Sequence, residues 1–339
     1  MEVNKDLTVV TGLWDLNREG RGFEEHYIEN FKRFLEIPVN MFIYIPEEYE
    51  HVVWEKRSKE NTYVKTASLD YLRKLYDPFW EKTQSIRTDP NWYNMTGEQG
   101  WLKNSPQAVL EYYNVVVQSK MFLLNDATIW NPFNTEYFIW IDAGITNTVN
   151  ADLLINQRAL DRIVPHLNSF LFLSYPYETQ TEIHGFDKTA IDRYAGDDVK
   201  YVCRGGLFGG KKEIINQANP TYYSTLQQTL NAGYMGTEES VFTIMSYKEP
   251  HIYDRYALDS NGFVVKFIEQ LLTEEVPIEP VPKKKKISVT NRDLGNVKTN
   301  SYILTFNFPQ QLLHTIESME KVPEWLEIPH LVLIDNSTD

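Results

Sequence analysis

The sequence has one cysteine, Cys203, among 339 residues. No internal disulfide can form, which excludes a disulfide-stapled secreted scaffold and fits a reducing compartment. Cys-x-x-Cys, His-x-His and His-Glu-x-x-His are all missing, so no ligand spacing of a zinc site is present. No Gly-x-Gly-x-x-Gly follows the first apolar run, and the Gly-x4-Gly-Lys-Ser/Thr pattern of a P-loop is not met. A Ser/His/Asp arrangement is missing too. Hydride transfer and nucleophilic hydrolysis lose ground accordingly. Positive charge is scarce: 33 Lys and Arg face 47 Asp and Glu, a net −14. That balance opposes non-specific contact with a phosphate backbone, so nucleic acid is not an expected partner. No apolar run approaches the length of a membrane span, and Met1 to Asp6 carries no signal-peptide pattern. A cytoplasmic protein without a transmembrane segment is the expectation.

What the sequence has in quantity is apolar and aromatic residues. Hydrophobic residues make up 42%, enough for a sizeable core, and aromatics 14%. Aromatic side chains fill cores, and they also line sugar- and base-binding clefts by stacking. Leu7 to Thr11 reads as a first strand, ending at Gly12. Glu24 to Leu35 has helical spacing, with Tyr27, Phe31 and Phe34 on one face. Val39 to Ile45 is a second strand closed by Pro46, and a third is expected within 51–66, near Val52-Val53-Trp54. Residues 68–88 read as helix, 89–106 as a loop and 107–126 as a long helix. Strands follow at 137–142, 170–173 and 201–203. This alternation predicts an α/β domain with a single, mostly parallel sheet flanked by helices.

Val276 to Pro282 alternates proline with apolar residues and runs into Lys283 to Lys286, which reads as a stiff, solvated linker. The expected organisation is a domain over 1–275, a linker over 276–299 and a short strand-helix-strand fragment over 300–339. In that fragment Ser301 to Asn307 and Leu331 to Asp339 are the strand candidates, with a helix over Pro309 to Met319. Such a unit cannot bury both faces of its sheet alone, so either it packs on the first domain or the chain is a piece of a longer protein.

The most informative stretch is Tyr137-Phe138-Ile139-Trp140-Ile141-Asp142-Ala143-Gly144-Ile145. An aromatic and β-branched run ending abruptly in an acid reads as a buried strand with Asp142 at its carboxyl end. Ligands of parallel α/β sheets bind at such ends, and the small Ala143 and Gly144 leave room for one. Asp142 as a plain turn former is the competing reading. Thr11-Gly12-Leu13-Trp14-Asp15 follows the first strand and offers either a nucleotide contact or a turn with a core Trp. Arg204-Gly205-Gly206-Leu207-Phe208-Gly209-Gly210-Lys211 pairs glycines that permit close approach with cations suited to a diphosphate; two tight turns explain it equally. Thr237-Glu238-Glu239-Ser240 reads as a helix cap with acids in the first turn, or as carboxylates at a pocket edge acting on an acceptor hydroxyl. Lys120, on the long helix, is solvated on the ordinary reading and faces a phosphate on the functional one. His251, after Pro250, is structural or shares a metal with Asp142.

Taken in order, Thr11 to Asp15, the Ser119-Lys120 helix, Asn131-Pro132-Phe133, Phe138 to Gly144, Gly205 to Lys211, Glu238-Glu239 and Pro250-His251 resemble the bacterial HtrL/YibB family of glycosyltransferases, over roughly residues 7–272. The resemblance implies a GT-A-like fold and a nucleotide-sugar donor, by family habit a UDP-sugar, whose sugar passes to a hydroxyl acceptor on a glycan or glycoconjugate. It implies Asp142 as a ligand of Mn²⁺ or Mg²⁺ or of the ribose, and His251 as a second metal ligand. The turn at Gly205 to Gly210 would border the donor sugar, Glu238 or Glu239 would approach the acceptor, and Trp14 and Asp15 would lie at the base. Thr11, Gly12, Lys120, Ala143, Gly144, Gly205, Gly206 and Lys211 complete the expected donor site. The chain departs from the common Asp-x-Asp pattern, with Gly144 where the second acid is expected. Tyr302 to Asn307 and Leu333 to Asp339 resemble the first two strands of a family 2 glycosyltransferase, which implies that the chain is part of a longer, two-module glycosyltransferase. The rival readings are a nucleotide-sugar-binding module without activity and a metal-dependent phosphohydrolase.

Overall fold

The computed structural model describes residues 3–258, 264–273 and 280–281, and the backbone of 300–305 and 330–335. The chain divides into two compact units, Met1–Lys284 and Lys285–Asp339. In the second unit, strands Asn300–Thr305 and His330–Asp335 pair in parallel. The expected helix over 309–319 and most of the expected linker lie outside the described residues.

The first unit is built on a seven-stranded sheet. Its strands are β1 (Asn4–Gly12), β2 (Val39–Ile45), β3 (Thr62–Thr66), β4 (Tyr137–Ile141), β5 (Phe170–Pro176), β8 (Tyr201–Lys211) and β9 (Tyr253–Ala257), with a small hairpin of β6 (Glu182–Ile183) and β7 (Phe186–Asp187) outside it. The order across the sheet is β3-β2-β1-β4-β8-β5-β9. Only β8 runs against its neighbours; every other pairing is parallel. The single, mostly parallel sheet expected from the alternation of elements is therefore present. Among the described residues no helix is long and apolar enough to cross a membrane.

Both faces of the sheet are covered, which is why its central strands read as unbroken apolar runs. The period of two sorts the side chains by shape as well as by face. Phe42, Tyr44, Phe138, Trp140, Phe170, Phe172 and Phe208 pack on one side, under helices Tyr113–Trp130, Lys212–Asn231 and Glu238–Lys248. Val9, Met41, Ile43, Ile139, Ile141, Leu171 and Leu173 pack on the other. β1 continues to β2 on one flank and lies beside β4 on the other, so the carboxyl ends of β1 and β4 open a crevice between diverging connections.

Four local expectations need correction. Val52 to Trp54 is helical, in Glu50–Trp54, with Val52 and Val53 buried against the aliphatic face; the third strand is Thr62–Thr66. The helix expected from Glu24 opens as a π-helical turn, Phe23–Ile28, before the α-helix Glu29–Phe34. Residues 89–106 are not one loop, because the Asp89 and Ser105 side chains cap short helices at Pro90–Tyr93 and Pro106–Val109. The glycine pairs are not turns: all of 201–211 is one strand, antiparallel to both β4 and β5. A Cβ at Gly209 or Gly210 would run into the backbone of Phe138 or Ser169, so these glycines let neighbouring segments close in.

Candidate functional site

A cavity of about 570 Å³ opens at the carboxyl ends of β1 and β4. The long helix Tyr113–Trp130 turns one face toward it, with Tyr113, Val116, Val117 and Lys120 at helical spacing in the wall. That helix stops at Asn131, whose left-handed backbone (φ 37°) ends it and whose side chain grips both polar backbone groups of Thr135. The turn delivers the chain directly into β4 and sets Lys120 opposite the end of that strand.

Asp142 follows the last residue of β4, with its backbone N–H donating to Gly206 O at 3.1 Å. Its side chain is 41% exposed, into the cavity. The indole of Trp140, two residues back on the same face, donates to Oδ1 at 2.7 Å and fixes the carboxylate. Lys120 Nζ stands 2.8 Å from Oδ1 and 3.1 Å from Oδ2. The same ammonium donates to Glu238 Oε1 at 2.8 Å and to Gly205 O at 3.2 Å. Lys120 is not solvated, as its helix position suggested, but buried, with its donors shared between two carboxylates and a carbonyl. Gly205 makes this possible, since any side chain there would strike Glu238. Burial pushes the Glu238 carboxyl up to about 7, with help from Glu239 and Asp142, although the Lys120 ammonium pulls the other way.

Glu239, the next residue, has the opposite environment. Its Oε1 accepts the Gly205 N–H at 2.8 Å and lies 3.3 Å from Arg204 Nη1, and its Oε2 lies 2.8 Å from His184 Nδ1. Burial alone would raise its pKa, but Arg204, His184 and the Gly205 N–H hold it down to about 2. In turn Glu239 outweighs burial at His184 and favours the imidazolium. His184 also meets the Tyr175 hydroxyl at 3.0 Å through Nε2. It is aimed there by the two-residue turn between β6 and β7, where His184 and Gly185 both have positive φ (50° and 86°).

The structure brings Gly12, Trp14, Asp15, Lys120, Asp142, Ala143, Gly144, Gly205, Gly206, Glu238 and Glu239 to this one cavity. Trp14 does so while serving the core, its indole donating to Ala67 O at 2.8 Å. Asp15 turns partly back on its own loop, accepting the Asn17 N–H at 2.7 Å. Three expected residues do not join. Thr11 is fully buried in β1 and outside the cavity wall. Lys211 closes β8 opposite Tyr137, at the start of β4, and pairs with Glu136 at 2.5 Å. His251 is exposed just before β9, at the same amino-terminal edge of the parallel strands, so it cannot share a ligand with Asp142. Thr237 begins the helix of Glu238 without its side chain capping it, so the capping-box reading does not hold either.

The sequence matches the family profile described as "Bacterial protein of unknown function (HtrL_YibB)" over residues 5–262. The chain belongs to the HtrL_YibB family. Among curated proteins none matches it. Of solved structures, mouse xyloside xylosyltransferase 1 in its apo form is similar at 12% identity, covering 75% of this chain and 84% of its own, with a TM-score of 0.37. Core-mannan synthase A from Aspergillus fumigatus, in a Mn/GDP form, is similar at 9%, covering 74% and 72%, with a TM-score of 0.44. The 4-diphosphocytidyl-2C-methyl-D-erythritol synthase of Anaerococcus prevotii is similar at 9%, covering 78% and 94%, with a TM-score of 0.35. Likeness at this level leaves the function to the site itself.

In this HtrL_YibB chain the residues do not fit the divalent ion that the resemblance implies. A hard cation takes about six oxygens at roughly 2.0–2.6 Å. Gly144 offers no carboxylate beside Asp142, and Glu238 and Glu239 are already engaged by cations and an N–H. Among the described residues no three His, Cys, Asp or Glu side chains gather to hold a metal. Arg18, Arg21, His184 and Trp101 also line the cavity, and none was singled out by sequence. The one local signal for His184 is the His-Gly pair between Ile183 and Phe186, a hairpin dipeptide.

Proposed function

We propose that the protein is a glycosyltransferase of the GT-A type, moving a sugar from a nucleoside diphosphate, by family habit UDP, to a hydroxyl on a glycan. The observation that carries this reading is Asp142: an exposed carboxylate, locked by Trp140 and Lys120, at the end of β4 in a roomy cavity at a topological switch point. A fixed acid there suits the hydroxyls of a ribose or donor sugar. Arg18, held to the Tyr27 hydroxyl at 3.0 Å, and Arg21 supply guanidinium groups on the same wall for the diphosphate. Trp101, 46% exposed, has its indole fixed to Glu182 Oε1 at 3.1 Å and presents a stacking surface to a sugar acceptor.

In the transfer, the acceptor oxygen bonds to the anomeric carbon, and the bond from that carbon to the diphosphate breaks. The electron pair leaves on the diphosphate oxygen, and the acceptor proton passes to a base. Glu238 suits that role better than Glu239, since its pKa stands near working pH while both Glu239 oxygens are tied to donors. The rival module without turnover draws on the Lys120–Glu238 contact, which restrains the base. Turnover decides between them. Incubation with a panel of nucleotide sugars should release the nucleoside diphosphate, and Asp142→Ala should lower that release at least ~100-fold while leaving the melting temperature near wild type. Undiminished release by the variant would sink the assignment, and binding without release would favour the rival.

A further inference from the structure

The proposed donor site holds a cation of its own. Lys120 Nζ lies among four oxygens: Asp142 Oδ1 and Glu238 Oε1 at 2.8 Å, Asp142 Oδ2 at 3.1 Å and Gly205 O at 3.2 Å. Two carboxylates from different elements and a strand carbonyl converge on one point, and oxygens of these kinds are the ligands a hard cation takes. The point is occupied by an ammonium delivered from the long helix.

We propose that the Lys120 ammonium takes the place of the divalent ion, so that a nucleoside diphosphate binds in this cavity, and departs as leaving group, without added metal. The inference rests on the transferase reading. A divalent ion on the free side of Asp142 would stand within about 5 Å of Nζ, where like charges repel strongly in a partly buried site. Displacing the ammonium instead would strand it in a wall where its side chain is only 8% exposed. Burial works against charge on Lys120, but Asp142 and Glu238 outweigh it and raise its pKa, so the ammonium persists through neutral pH. The acids near the donor are thereby neutralised in part, which lowers their repulsion of a diphosphate. Arg18 and Arg21 are left to meet the phosphates directly. Gly144, where the common pattern has a second acid, agrees with a site from which the metal requirement has gone.

The test uses the wild-type protein first. Binding of UDP, GDP, CDP and ADP is measured by calorimetry in EDTA and again with Mn²⁺, and the spin resonance of free Mn²⁺ is followed as protein is added. The expected result is one nucleotide binding with affinities in the two buffers within about threefold, and an undiminished Mn²⁺ signal. Binding that appears only with Mn²⁺ would overturn the inference and leave the transferase reading standing. No binding of any nucleotide in either buffer would overturn that reading and the inference with it. Lys120→Ala gives a second readout: with the ammonium gone, Asp142 and Glu238 should now remove Mn²⁺ from solution. A folded variant that leaves the Mn²⁺ signal untouched counts against the inference.

Discussion

At one end of the central sheet Lys211 meets Glu136 on the surface; at the other Lys120 meets Asp142 and Glu238 inside the protein. Both are lysine–carboxylate contacts within hydrogen-bonding reach. The surface pair keeps most of its hydration and gains little from forming. The interior cluster gives up hydration, and its geometry has to be held by everything around it: Trp140 on one carboxylate, Gly205 making room for the other, a helix cap turning the long helix toward β4. Charge placed at such expense marks the end of the sheet where chemistry is expected. An amino-terminal edge with exposed pairs needs no such support.

The sharpest way to break this contrast is to remove the interior cation. Lys120→Met leaves Glu238 buried without a counter-ion, and should cost about 3–5 kcal/mol of stability near pH 8. Without the ammonium the Glu238 carboxyl would rise above its present value of about 7 and take a proton instead, so the loss should shrink as pH falls toward 7 and level off below it. Chemical denaturation across that range checks both statements. A loss that does not vary with pH would mean that the Lys120–Glu238 contact is not the source.

Several elements of this contrast were open to reading from sequence, and the reason the others were not is physical. Asp142 stands at the end of an apolar run that only a strand buried on both faces explains, so its place was local information. Lys120 was not legible, because a lysine on an amphipathic helix is ordinarily solvated and Glu238 lies 118 residues away. Glycine pairs have the local signature of turns, yet at Gly205 to Gly210 their cause is what lies across the sheet and beneath it. Val52 to Trp54 has strand propensity in a segment that the aliphatic face recruits as a helix. His184 depended on a hairpin of two-residue strands, too short to carry a period. A single, mostly parallel sheet follows from the alternation of elements; the strand order, the antiparallel β8 and the partners of each charge follow only from the packed fold.

Inside the cluster, a smaller effect separates neighbours. Glu238 stands near 7 and Glu239 near 2, either side of an ordinary 4.5. If Glu238 is the base, it must be ionised, so the transfer rate should rise about tenfold per pH unit below 7 and level off above it. Glu238→Gln should abolish that limb with the activity. The stability contributions depend on pH in opposite directions. The folded state holds the Glu238 proton more tightly than the unfolded chain, so that contribution is full below about 4.5 and fades as pH rises through 7. Glu239 holds its proton less tightly, so its contribution is full above 4.5 and fades as pH falls toward 2. A rate profile flat from pH 5 to 8 would remove Glu238 from the chemistry while leaving the fold argument untouched.

The smallest effects belong to the opposite edge of the sheet. Lys211 and Glu136 are each more than a third exposed, and solvent screens their attraction. Lys211→Ala should leave the melting temperature and nucleotide affinity within experimental error. The same holds for nucleotide affinity in His251→Ala, since His251 lies where the parallel strands begin and Asp142 where β4 ends. These two substitutions test placement rather than energy. A loss of nucleotide binding in either would require the diphosphate to reach the amino-terminal edge of the sheet, on the far side of a packed layer of Phe138, Phe170 and Phe208. No ligand bound at Asp142 can reach through that layer, so such a loss would relocate the donor site and dissolve the contrast between the two ends.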